Sequence, residues 1–188
     1  MSASFRPSFT IALAIAMVSS SGLGAPVPAP AARESREQQP KPTPPAGEPV
    51  SGISCDAMEG QRLHTHQHLV ILDRGKEVPI PPNVGQPLVR RCIYWVHTHT
   101  PDGIIHIEAP LDRTFTLGDF FDVWGEPLTK TTAAGAHAPK GRRLKVWVND
   151  KPYTGDPRAI ALTPHADIVI EAGPPFPKPP RFTTWGRL

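Results

Sequence analysis

Proline placement is what most narrows the folds open to this 188-residue chain. Of its 25 prolines, eight stand in 26–49 and five in 174–180. Proline fixes φ and lacks a backbone N–H, so neither a helix nor a central strand runs through such stretches. Residues 26–52 carry almost no large apolar side chain and read as a disordered, partly extended linker. Residues 174–188 read as a C-terminal tail of the same kind, in which Phe182 and Trp185 are the side chains able to dock back. That leaves 53–173 to build one core.

The N-terminus has the layout of a secretory signal. Arg6 supplies the positive end, Phe9–Val18 the apolar stretch, and Ser19–Ala25 the small residues, which predicts cleavage after Ala25. The apolar stretch is shorter than the ~20 residues that span a bilayer. The alternative is an uncleaved anchor. No cysteine stands at the cleavage point for a lipid. The expectation is a periplasmic or secreted protein with no stable membrane anchor after cleavage. Cys55 and Cys92 are the only cysteines, and an oxidising compartment is expected to join them. The alternative makes Cys92 a thiolate ligand near His97.

The net charge of +3 and the pI near 9.1 come from the flanks. Between Ile53 and Gly173 there are 13 Lys/Arg against 14 Asp/Glu. A nucleic-acid-binding domain carries its basic excess on the fold itself, so no nucleic-acid partner is expected.

The central segment reads mainly as strands: His64–Leu72 and Glu77–Ile80 around a turn at Asp73–Lys76, then Ile93–Thr100 and Ile104–Ala109 around Pro101-Asp102-Gly103. Lys145–Val148 and Asp167–Glu171 are the last two, with Asn149-Asp150-Lys151 as a turn. One helix is predicted between them. Thr116 is a good N-cap, Asp119 falls at N3, and Gly125 closes the helix. Leu117, Phe120, Phe121 and Trp124 form one apolar stripe. The pattern predicts an α+β fold: a small, mostly antiparallel or mixed sheet with one short helix packed on it, like a β-grasp. A β-sandwich is the alternative.

All eight histidines lie in the central segment. Six stand in two groups: His64, His66 and His68 in one, and His97, His99 and His106 in the other. Side chains alternate faces along a strand, so i and i+2 imidazoles share a side and can converge on one ion. Neutral imidazole suits Cu²⁺ and Zn²⁺. Glu108 shares a face with His106 and is a candidate ligand or acid/base group; Asp73 and Glu59 could serve likewise. Two registers are open for the second hairpin. One sets His97 opposite His106, with Glu108 on the same face. The other slips by one residue and turns His106 away. His137, in a Gly/Ala loop, and His165, after Thr163-Pro164, are expected outside any ligand set.

Three functions are compatible with this pattern: an exported Cu- or Zn-binding protein for trafficking, buffering or protection; a small metal-dependent enzyme with three histidine ligands; and a structural or partner-binding domain with a histidine hydrogen-bond network. No Gly-x-Ser-x-Gly, P-loop or Gly-x-Gly-x-x-Gly element points elsewhere.

The stretches Cys92–His99, Asp102–Glu108 and Phe115–Gly125 resemble those of a group of small exported bacterial and archaeal proteins of unassigned function. That group also shows the early His-x-His-x-His strand and late stretches similar to Val148–Tyr153 and Leu162–His165. The resemblance spans most of 55–172 and implies export and one shared fold. It implies no activity, and it marks Ala133–Arg143 as an insertion in this chain.

Overall fold

The stretch with His64, His66 and His68 and the apolar run Leu69–Leu72 together form the longest strand. A computed structural model describes residues 47–186. The expected signal segment and the linker as far as residue 46 lie outside the described residues. The strands are β1 (Cys55–Asp56), β2 (Leu63–Asp73), β3 (Lys76–Glu77), β4 (Ile93–Tyr94), β5 (Val96–His97), β6 (Ile104–Ala109), β7 (Thr132–Ala133), β8 (Ala136–His137), β9 (Lys145–Val148), β10 (Lys151–Tyr153) and β11 (Asp167–Ala172). The helix α1 is Leu117–Trp124, and Pro157–Ala159 make one 3-10 turn.

The main sheet runs β10-β9-β11-β2-β6-β5, with β3 beside β2. Its centre is the parallel pair β2 and β11, and the other ladders are antiparallel. A mixed sheet with one short helix is the expected α+β class; the chain does not form a β-sandwich. The helix is capped as its sequence indicates. Thr116 Oγ1 accepts from Asp119 N, the Asp119 carboxylate accepts from Thr116 N, and Gly125 takes a left-handed φ of 80°.

Strand alternation divides the sheet into two faces. Leu69, Ile71, Ile105, Ile107, Ile168 and Ile170 point inward and share a core with Leu117, Phe120 and Phe121 of α1. The opposite face carries His64, His66, His68, Val70 and Leu72 of β2, His106 and Glu108 of β6, and Asp167, Val169 and Glu171 of β11.

That second face is covered at one end by the Pro-rich tail. Pro175 and Pro177 lie against Gly75, Lys145 Nζ sits 3.8 Å over the Phe176 ring, and Arg181 pairs with Asp150 at 2.6 Å. Phe182 N then donates to Asp167 Oδ2, and its ring stacks on His68 at 4.1 Å. Val70, Leu72 and Val169 form a small second core on this face, with Trp147 packed against it. At the other border Val50 is buried and pairs with Ile53. The ordered region is thus wider than 53–173, because a few apolar anchors hold otherwise core-poor segments. Burying a Val or Leu side chain stabilises by about 1.5–3 kcal/mol. Truncation after Gly173 is therefore expected to lower Tm by roughly 10 °C; thermal unfolding followed by circular dichroism checks this, and an unchanged Tm would show that the tail adds no stability.

The second hairpin departs from expectation. Ile93–Thr100 is not one strand: β4 pairs with β1, the chain breaks at Trp95, and only Val96 and His97 join β6. Two competing sets of bonds cause the split. Trp95 Nε1 donates to Asp56 Oδ2, while Thr98 is held by the preceding loop, donating its N to Val84 O and accepting Val84 N at its hydroxyl. The expected Gly/Ala loop contains the β7–β8 hairpin, with Ala133, Ala134 and Ala136 buried. The strand β10 was not expected; Asn149 and Asp150, both at positive φ, turn the chain back onto β9.

Cys55 and Cys92 form a disulfide across the β1–β4 pair, so Cys92 is not a thiolate ligand. Closing a loop with a sequence separation of 37 stabilises by about 4 kcal/mol in the chain-entropy model. Reduction should lower the urea midpoint accordingly; an unchanged midpoint in dithiothreitol would contradict this.

Candidate metal centre

The register of three strands gathers the histidines. His66 stands opposite His106, and His106 stands opposite His97, in one row across β2, β6 and β5. One step along, His64 faces Glu108. Of the two registers open for the second hairpin, the chain adopts the one that puts His97, His106 and Glu108 on one face. His99 leaves the ladder but not the group. Gln86 Nε2 donates to Thr98 O and to His99 Nδ1, and the His99 ring lies 4.4 Å from that of His106.

Two overlapping groups could hold a metal ion: His64, His66, His106 and Glu108, and His97, His99, His106 and Glu108. Within each, one ligand atom per residue lies within 4.8 Å of all the others. His64 Nε2 and His66 Nε2 are 3.2 Å apart, and His97 Nε2 and His99 Nε2 are 3.1 Å apart. Glu108 sits between the pairs, with Oε1 3.1 Å from His64 Nε2 and Oε2 3.7 Å from His97 Nε2. His97 is oriented by its own segment, since Nδ1 lies 2.9 Å from the Tyr94 carbonyl oxygen. That leaves Nε2 for the centre, an arrangement usual for imidazole ligands.

His68 stands apart from both groups. Its Nδ1 is 2.9 Å from Asp167 Oδ1, and its ring lies under Phe182. Strand parity places it on the right face, but β11 supplies a carboxylate on the other side and turns the ring away. His137 lies in the β7–β8 hairpin, with Nδ1 3.3 Å from Thr132 Oγ1. His165 is close without entering either group: its N donates to His66 O, and its ring stacks on Trp185 at 4.5 Å. Asp73 is paired with Arg74 at the far end of β2.

Glu59 matters more than its position in the sequence suggests. It lies 3.9 Å from His99 Nε2 and beside Glu108. The chain reaches this point because the disulfide fixes the start of the segment and Gly60 packs directly on β6. A Cβ at Gly60 would overlap the backbone of Ala109 and Pro110. No spacing rule reveals Glu59; the one hint is that Cys55 is tied to Cys92, shortly before His97.

Burial controls the protonation of the group. It lowers the His97 pKa to about 4, with the neighbouring His99 adding to the effect. It lowers that of His106 to about 3, and His99, His66 and His97 act in the same direction. His66 is lowered too, by burial and then by His64. Glu108 is raised to about 7, by burial first and then by the charge and hydrogen bond of Glu59. At neutral pH His66, His97 and His106 are therefore neutral imidazoles, the form that binds metal. A cation placed beside Glu108 would favour its carboxylate.

The donor set passes a test of fit. His106 Nδ1 and Glu108 Oε2 are buried without a hydrogen-bond partner. Each such atom costs about 1–3 kcal/mol when left unmet, and both lie in the shared part of the two groups. A cleft of about 480 Å³ lies elsewhere, lined by Lys130, Arg143, Lys145, Val146, Trp147 and Tyr153 among others.

No family model matches the chain, and neither a curated protein nor a solved structure matches it.

Proposed function

We propose that this is an exported metal-binding protein that holds a divalent transition ion, Zn²⁺ or Cu²⁺, through His64, His66, His97, His99, His106 and Glu108. The observation that carries the reading is the pair of partnerless buried atoms, His106 Nδ1 and Glu108 Oε2, where the two groups of converging imidazoles overlap. A hydrogen-bond network of histidines alone leaves those atoms unmet. A mainly imidazole set with one carboxylate suits borderline ions rather than Ca²⁺ or Mg²⁺, which take oxygen ligands.

Binding for buffering, trafficking or protection is favoured over catalysis. A catalytic centre keeps a position open to substrate. Here the Glu108 side chain is only 6 % exposed and both its oxygens face imidazoles, a placement that favours a ligand over an acid/base group. The Cys55–Cys92 bridge agrees with an oxidising compartment. Among the described residues no helix is long and apolar enough to cross a membrane.

Elemental analysis of untagged protein purified from its native compartment tests the reading. Stoichiometric zinc or copper that survives dialysis is expected. Metal-free protein that also takes up neither ion on titration would refute it.

A further inference from the structure

The geometry points to a centre that takes two divalent ions, with Glu108 bridging them. This rests on the metal-binding reading above and asks how many ions the same residues hold. The five imidazoles supply five nitrogens and Glu108 supplies two oxygens, more donors than one tetrahedral ion uses. More telling is how they are arranged. The Nε2 atoms fall into two tight pairs, His64 with His66 and His97 with His99, at 3.2 and 3.1 Å. The pairs come from β2 and from the β5 end, with β6 between those strands.

Glu108 stands on the intervening strand and faces both pairs with different oxygens. Oε1 is nearest the first pair, 3.1 Å from His64 Nε2, and Oε2 is on the side of the second, 3.7 Å from His97 Nε2. A carboxylate that presents one oxygen to each of two nitrogen pairs is placed to bridge two cations. Its negative charge then also reduces their mutual repulsion. His106 lies between the pairs, its ring 4.5 Å from that of His66 and 4.4 Å from that of His99. It completes whichever set lacks a nitrogen. Glu59, 3.9 Å from His99 Nε2, offers the second set a further oxygen.

Each pair joins one exposed and one buried ring: His64 is 57 % exposed beside buried His66, and His99 is 39 % exposed beside fully buried His97, so solvent reaches both sites.

Titration of the metal-free, disulfide-intact protein with Zn²⁺ alone, followed by calorimetry and elemental analysis, tests this. Two ions per chain are expected. His64→Ala with His66→Ala, and separately His99→Ala, should each reduce the count to one. A variant-free readout is the electron paramagnetic resonance spectrum of protein loaded with two equivalents of Cu²⁺. Two ions on one carboxylate should give a spin-coupled spectrum, with signal intensity well below that of two isolated ions. A count that saturates at one, with an uncoupled Cu²⁺ spectrum, would overturn the two-ion centre and leave the metal-binding reading standing. No uptake at all would defeat both.

Discussion

Protein carrying His106→Ala is expected to bind Zn²⁺ with affinity weakened by more than about 100-fold. Changing partners that merely orient a ligand already costs about 10–100-fold, and His106 belongs to both convergent groups. Its ring is central in the row formed with His66 and His97, so no neighbour can take its place. His68→Ala is the matched control. It removes an imidazole two residues from His66 on the same face, yet metal content should be unchanged, while the stack under Phe182 is lost. Competition against a chromophoric Zn²⁺ chelator measures the first effect, and thermal unfolding of the metal-free protein confirms that each variant is folded. Equal zinc affinity in His106→Ala and wild-type protein would contradict the assignment of His106.

The metal-free protein is expected to lose stability steeply on acidification. His97 and His106 have folded pKa values of about 4 and 3, below their ordinary 6.5. Below pH 6.5 the unfolded chain binds protons that these buried rings refuse, so stability falls as pH falls. Glu108 acts in the opposite sense. Its folded pKa of about 7 lies above the ordinary 4.5, so its contribution is fully present below pH 4.5 and is lost as pH rises through 7. Between pH 4.5 and 6.5 two histidines oppose one carboxyl group, and the net difference is about one proton. That corresponds to about 1.4 kcal/mol per pH unit, or about 3 kcal/mol over the window, and the lowered His66 adds to it. Urea unfolding with a chelator present, at pH 6.5 and 4.5, measures this. Excess Zn²⁺ should raise stability most at pH 6.5 and progressively less below it, as protons compete for the nitrogens. A midpoint independent of pH would mean that the rings are solvated, and not buried as described.

Much of the site was legible before folding because strand geometry is periodic. His64 and His66 on one face, and His106 with Glu108 on one face, follow from alternation alone. The helix was equally legible: Thr116, Asp119 and Gly125 are local signals, and each acts within one turn of its own position. His68 shows where alternation fails. It has the parity of a ligand, but its partner Asp167 is 99 residues away in sequence, and no local pattern reveals which carboxylate a parallel neighbour will bring. His99 is the converse case. It leaves the ladder yet stays in the group, because Gln86 holds it from a loop.

The chain's local chemistry therefore settled which imidazoles exist, the faces they take along each strand, the capped helix, and the pairing of the only two cysteines. Tertiary structure alone decided that β6 lies between β2 and β5, that His97 meets His106 and not its neighbour, that Glu59 reaches the group, and that the Pro-rich tail occupies the sheet beside it. The division has one physical cause. Backbone stereochemistry acts over a few residues and is written in spacing, whereas strand order and register depend on which distant apolar faces bury one another, and those energies appear only once the whole sheet has assembled.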